Sequence, residues 1–119
     1  MGSQYVNVTQ TGTVRVLELS LPDSLDSDAF DRLNEDVREA LSKSSTGKWI
    51  LDLSNTSYMG SSVLGLMINI RQITKSAGDR LVLCGLSTRL AQIFHTCCLE
   101  RLFTITKTRD EAMRSLGSK

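Results

Sequence analysis

The chain has 119 residues, 40% of them hydrophobic and 23% charged, with a formal net charge of +1. That length fits one domain with one core, and the near-neutral balance points away from nucleic acid or a strongly acidic partner. No apolar run reaches the roughly 18 residues a membrane span needs, and the polar start lacks the apolar stretch of a secretory signal, so none is expected.

Taken in order, residues 5–9 (YVNVT) and 13–19 (TVRVLEL) alternate as strands do, with Gln10-Thr11-Gly12 between them as a hairpin turn. Val14 and Val16, with Leu17 and Leu19, are the candidate core positions. After Pro22, Leu25-Asp26 reads as a helix entry with Asp26 as N-cap. Phe30, Leu33, Val37 and Leu41 then recur at helical spacing, predicting an amphipathic helix over 28–43. Ser44-Ser45-Thr46-Gly47 is a loop, and Trp49 to Leu53 is a strand apolar enough to be central. The next helix carries Val63, Leu64, Leu66, Met67, Ile68, Ile70 and Ile73, so it is expected to be buried nearly all round. Gly65 inside it implies close backbone approach to the sheet, and Gly78 is its C-terminal stop. Arg80 to Cys84 is a further strand. Ser87 caps a helix with Leu90, Ile93, Phe94 and Cys97 inward, and 103–106 is a short last strand. Thr108-x-x-Glu111 is a capping box for a final helix carrying Ala112, Met113 and Leu116. The order is β-β-α-β-α-β-α-β-α, an α/β domain with a small, mostly parallel mixed β-sheet and about four helices, connected right-handedly after the opening hairpin. Nothing divides it, so one domain over 1–119 is expected.

Enzyme signals are weak. The one histidine, His95, lies in a helix beside Phe94 and reads as a partly buried structural residue. His95, Cys97 and Cys98 lack a zinc spacing, so no metal and no cofactor are expected. The three cysteines, Cys84, Cys97 and Cys98, are odd in number and form no Cys-x-x-Cys pair. They read as reduced thiols in a cytoplasmic protein, with one of the adjacent two in the core and one half-exposed. Gly60-Ser61-Ser62 is no phosphate-binding loop, and Gly-x-Ser-x-Gly is absent. The informative stretch is WILDLSNTSYMGSSVLG, residues 49–65: a buried strand, a polar loop, and two serines where an apolar helix begins. A helix start has unpartnered backbone N–H groups and the positive end of the dipole. Ser61 or Ser62 can therefore cap the helix, or can carry a phosphate that the helix tolerates and a docked partner does not. Asp52, between strand and loop, is expected to accept loop N–H groups and steady the serines.

The segment LDLSNTSYMGSSVLGLMINI resembles the core motif of STAS domains, and specifically bacterial anti-anti-sigma factors, in which a strand ending like LDLS runs through a loop into Asp-Ser-Ser-Gly-Leu-Gly at a helix start. The resemblance implies a binding protein, not an enzyme. Such a protein holds an anti-sigma factor, usually a serine kinase of the GHKL class, and so frees a sigma factor. The kinase phosphorylates the second serine, here Ser62 with Ser61 as second choice, and a serine phosphatase reverses the change. The docking surface implied is Ser57, Tyr58, Met59, Gly60, Ser61 and Ser62, with the Ser87-Thr88-Arg89 turn near it, and neither nucleic acid nor membrane is involved. Two positions depart from the motif: Gly60 replaces the acid before the serines, removing a side-chain cap although glycine itself still caps moderately well and the helix start should survive, and Val63 replaces the glycine after them, placing a β-branched side chain beside the site. The alternative reading is a STAS interaction module that is never phosphorylated and serves as an adaptor in another signalling or transport complex.

Overall fold

The computed structural model describes residues 4–42 and 47–117, so the loop residues Ser44, Ser45 and Thr46 lie outside it. Five strands form one sheet in the order β1-β2-β3-β4-β5: Val6–Thr11, Val14–Leu19, Lys48–Asp52, Arg80–Cys84 and Thr104–Ile105. β1 pairs antiparallel with β2, and every later neighbour is parallel. The hairpin turn is shorter than its sequence suggests. β1 runs through Thr11, leaving Gly12 and Thr13 as a two-residue loop, with Gly12 at φ 62°. A positive φ at the first loop position suits the right-handed twist of paired strands and is cheap only for glycine.

Three crossover helices, α1 (Ser27–Ser42), α2 (Ser61–Ser76) and α3 (Thr88–Thr96), follow β2, β3 and β4. Leu33, Val37 and Leu41 of α1, Val63, Leu66, Met67 and Ile70 of α2, and Leu90 and Phe94 of α3 share one core with Leu17, Leu19, Trp49, Leu51, Leu53 and Leu83. A monotonic strand order with crossovers of one hand puts all three helices on the same face. The short α4 (Arg109–Ser115) covers the opposite face, where Ala112, Met113 and the following Leu116 meet Val14, Val16, Ile50, Val82 and Cys84. The alternation of β2 therefore marks two cores, not one. Val14 and Val16 face α4, whereas Leu17 and Leu19 face α1–α3. Buried on both sides, β3 carries the continuous apolar run Trp49-Ile50-Leu51, as interior parallel strands do.

The caps read from the sequence are formed. Asp26 Oδ1 accepts from the Ala29 N–H at 2.8 Å, Ser87 Oγ from Leu90 N–H at 3.1 Å, and Thr108 Oγ1 from Glu111 N–H at 3.1 Å. In the last box the Glu111 carboxylate reaches one residue further back and accepts from the Lys107 N–H at 2.9 Å. Gly78 adopts φ 77° just past Ala77, the left-handed stop expected of it.

Two expectations fail here. α2 is not buried all round: Ser61, Ser62, Gly65, Asn69 and Gln72 form an exposed face on which Leu64 and Ile68 are only half covered. Gly65 lies on that outer face, and a Cβ built on it meets nothing within 4 Å, so no approach to the sheet requires glycine there. The adjacent cysteines are also placed differently. Both Cys97 and Cys98 are exposed: α3 ends at Thr96, and Cys98 takes the left-handed conformation at φ 60° in the turn before Leu99 re-enters the core.

Candidate functional site

β3 delivers the chain to the carboxyl end of the sheet, and Asp52 closes the strand there with 4% of its surface exposed. Its Oδ1 accepts from Ser54 N–H at 2.9 Å and from Ser54 Oγ at 2.6 Å. Its Oδ2 accepts from Arg109 of α4, from Nη2 at 2.6 Å and Nε at 3.0 Å, and the same Nη2 reaches Glu18 Oε2 of β2 at 3.3 Å. Burial alone would raise the Asp52 carboxyl. The Ser54 hydrogen bonds and then the Arg109 guanidinium outweigh it and hold the group below the ordinary aspartate range. The hydrogen bond to Asp52 in turn raises Arg109 further. Cys84, one strand over, is pushed up to about 12 by burial and by the Asp52 charge, so its thiol stays protonated and inert. Gly85 follows at φ 79°. A Cβ there would overlap the Ser54 hydroxyl and stand 3.0 Å from Asp52 Oδ1, so this glycine is required twice over.

Asp52 thus bonds the loop at Ser54, and among the described residues no bond runs from it to Ser61 or Ser62. The loop's second anchor is Thr56, which is 1% exposed. Its hydroxyl donates to Leu19 C=O at 2.9 Å and accepts from Leu21 N–H at 3.2 Å, satisfying the backbone where β2 ends. Met59 is the third anchor. At 2% exposed it belongs to the core, so of the six positions assigned to docking it is the one whose side chain is not presented. Ser57, Ser61 and Ser62 are exposed, and Tyr58 and Gly60 are half-buried.

The serines do not cap α2. Gly60 is the N-cap, extended at φ −80° and ψ 179°, with no side-chain cap bond; Ser61 and Ser62 are the first two helical residues. Their hydroxyls stand at the first turn, where anions are favoured. Val63 turns inward at 6% exposed, so most of its branched side chain packs in the core and only its edge lines the groove beside the serines. A Cβ on Gly60 meets nothing within 4 Å. Gly60→Asp should therefore seat a carboxylate toward the N–H groups of Ser62 and Val63 and stabilise the fold by about 0.3–1 kcal/mol. A melting temperature raised by about 1–4 °C in a thermal scan is the expected result.

Arg89 and Asp23 complete the site. Arg89, in the turn that opens α3, lies 4.8 Å over the Tyr58 ring and 3.7 Å from Asp23, which also accepts from Ser57 Oγ at 3.4 Å. The Ser87-Thr88-Arg89 turn is thus beside the loop. A groove of about 620 Å³ runs from the segment Pro22–Ser27 to the start of α2, with Leu25, Phe30 and Val63 among its apolar lining and Asp23, Asp26 and Asp31 among its charges. Sequence reasoning missed Arg109, Thr56 and Gly85, whose partners are 57, 35 to 37, and about 30 residues away. Among the described residues no cluster of His, Cys, Asp and Glu is placed to hold a metal ion, and no helix is long and apolar enough to cross a membrane.

The STAS domain family model matches residues 5–112. The chain belongs to the STAS domain family. Solved structures repeat this STAS fold end to end. An anti-sigma-factor antagonist (STAS) domain protein from Planctomyces limnophilus superposes with a TM-score of 0.81 at 19% identity, covering 95% of this chain and 98% of that one. SpoIIAA, an anti-sigma factor antagonist, matches in its unphosphorylated form with a TM-score of 0.72 at 18% identity, covering 96% and 98% of the two chains. The phosphorylated form of SpoIIAA, a Bacillus cell fate determinant, matches with a TM-score of 0.65 at 20% identity, covering 93% and 98%. At these identities the likeness to solved structures establishes the fold. The site of this STAS domain rests on its own geometry.

Proposed function

We propose that this STAS domain is an anti-sigma factor antagonist in the cytoplasm, binding an anti-sigma factor of the GHKL serine-kinase class and releasing a sigma factor until Ser62 is phosphorylated. A serine phosphatase restores the binding state. The observation that carries the reading is the position of Ser62: exposed, helical, and free of the capping role that would explain it structurally. A phosphate there gains the dipole and free N–H groups of α2 while adding a charge of about −1.5 to −2 to a surface already lined by Asp23, Asp26 and Asp31. The chain is the substrate and binding partner in this cycle, and the chemistry belongs to the kinase and phosphatase.

Incubation with the anti-sigma kinase and ATP, followed by intact mass, should show one added phosphate on the parent chain and none on Ser62→Ala. Addition that survives Ser62→Ala but vanishes in Ser61→Ala would move the acceptor to Ser61. The missing carboxylate at Gly60 favours, as a second reading, a STAS adaptor that docks through the same surface and is never phosphorylated. Capture from native extract of a partner without a kinase fold would support that reading and count against the first.

A further inference from the structure

We propose that β1 is a self-association seam: two copies of this chain pair their β1 strands antiparallel about a two-fold axis through Val8, continuing one sheet across both. β1 is an edge of the sheet, six residues long, with neither proline nor charge in VNVTQT. Edges left to solvent are ordinarily blunted by lysine, proline, bulges or shortness, and this one has none of these. At the other edge, β5 has two residues.

The register fixes which backbone groups are free. Ser20 N–H donates to Tyr5 C=O at 3.0 Å, and Val6 to Thr11 pair in unbroken antiparallel register with Leu19 to Val14. Backbone groups alternate direction along a strand, so 7, 9 and 11 bond to β2, while Val6, Val8 and Gln10 aim N–H and C=O outward. Three outward residues have their centre at Val8. A reversed copy then pairs Val8 with Val8, Val6 with Gln10 and Gln10 with Val6, using all six groups. No like charges are opposed, and Asn7 meets Thr9 on the other face. Val8, half-exposed against the α1 core, gains the matching valine.

The flanks suit a second copy as well. The groove beside β1 and α1 is lined by both signs, Arg15 and Arg32 together with Asp28, Asp36 and Glu39. Mixed signs leave no single-sign field to repel a second copy. The net charge of +1 adds little repulsion between copies.

Sedimentation equilibrium on the full chain should show a concentration-dependent dimer. Val8→Lys sets two lysines against each other at the axis and should raise the dissociation constant about tenfold or more. A second measurement does not depend on how well that variant folds. In a Cys97→Ser, Cys98→Ser background, Val8→Cys should crosslink readily with oxidised glutathione, since Cα atoms at the axis are about 5.5 Å apart. Asn7→Cys should not, because its two copies lie about 8 Å apart. A monomer at every concentration overturns the seam, as does a dimer whose crosslinking is equal at 7 and 8 or favours 7.

Discussion

Ser62→Asp is expected to weaken binding of the proposed anti-sigma partner about a hundredfold, close to 3 kcal/mol, with the fold retained. The fold is spared because position 62 is the second residue of α2, exposed, and contributes no cap. An aspartate in the first turn gains from the dipole, so the melting temperature should stay within about 3 °C of the parent. Binding is lost because the new carboxylate adds to Asp23, Asp26 and Asp31 on one groove, and a docked partner must desolvate it. Ser62→Ala keeps the surface neutral and should bind within about threefold of the parent. Titration calorimetry against the anti-sigma factor reads both variants. Unchanged affinity for Ser62→Asp would remove this helix start from the docking surface, whatever the kinase does.

Arg109→Ala is expected to cost about 2 kcal/mol at neutral pH. Leaving a buried carboxylate unpaired costs about 3–5 kcal/mol, and exposed pairs are worth under about 1. Asp52 is almost fully buried and Arg109 is 40% exposed, so water can replace part of the guanidinium and an intermediate value follows. The pH dependence separates charge from packing. In the parent, Asp52 has a folded pKa below its unfolded one. Its stabilising contribution is therefore present above about pH 4 and lost as pH falls through the folded pKa. Without Arg109 the burial of Asp52 is opposed by the Ser54 hydrogen bonds alone, and the folded pKa rises. The variant's deficit should then shrink as pH falls from 7 to about 3.5, which urea unfolding at both ends of that range measures. A deficit constant with pH would mean that Arg109 acts by packing.

These two residues mark the limits of what a sequence states. Helix caps at Asp26, Ser87 and Thr108, the strand–helix alternation and the serine pair at the start of α2 are local. Each depends on side chains within four positions and on the 2.0 or 3.6 period, and each is legible before folding is considered. The mostly parallel sheet follows from the same alternation. What the sequence could not state are relations across distance. Gly60, Ser61 and Ser62 are all cap candidates by local chemistry, and the choice of Gly60 depends on how the loop arrives, pinned by Thr56 under Leu19 and by Met59 in the core. Leu64 and Ile68 look as buried as Leu66 and Met67 from their chemistry, but only the face turned to the sheet is covered. Arg109 reaches Asp52 because α4 alone crosses to the second face of the sheet, a choice no local period encodes. The sequence by itself determined the elements, their caps and the serine-bearing helix start, since these are set by near neighbours. Only the tertiary structure decided which serine hydroxyls are free, which loop residues are anchors, and where the Asp52 charge finds its partner, since burial and charge pairing are properties of surfaces that the folded chain brings together.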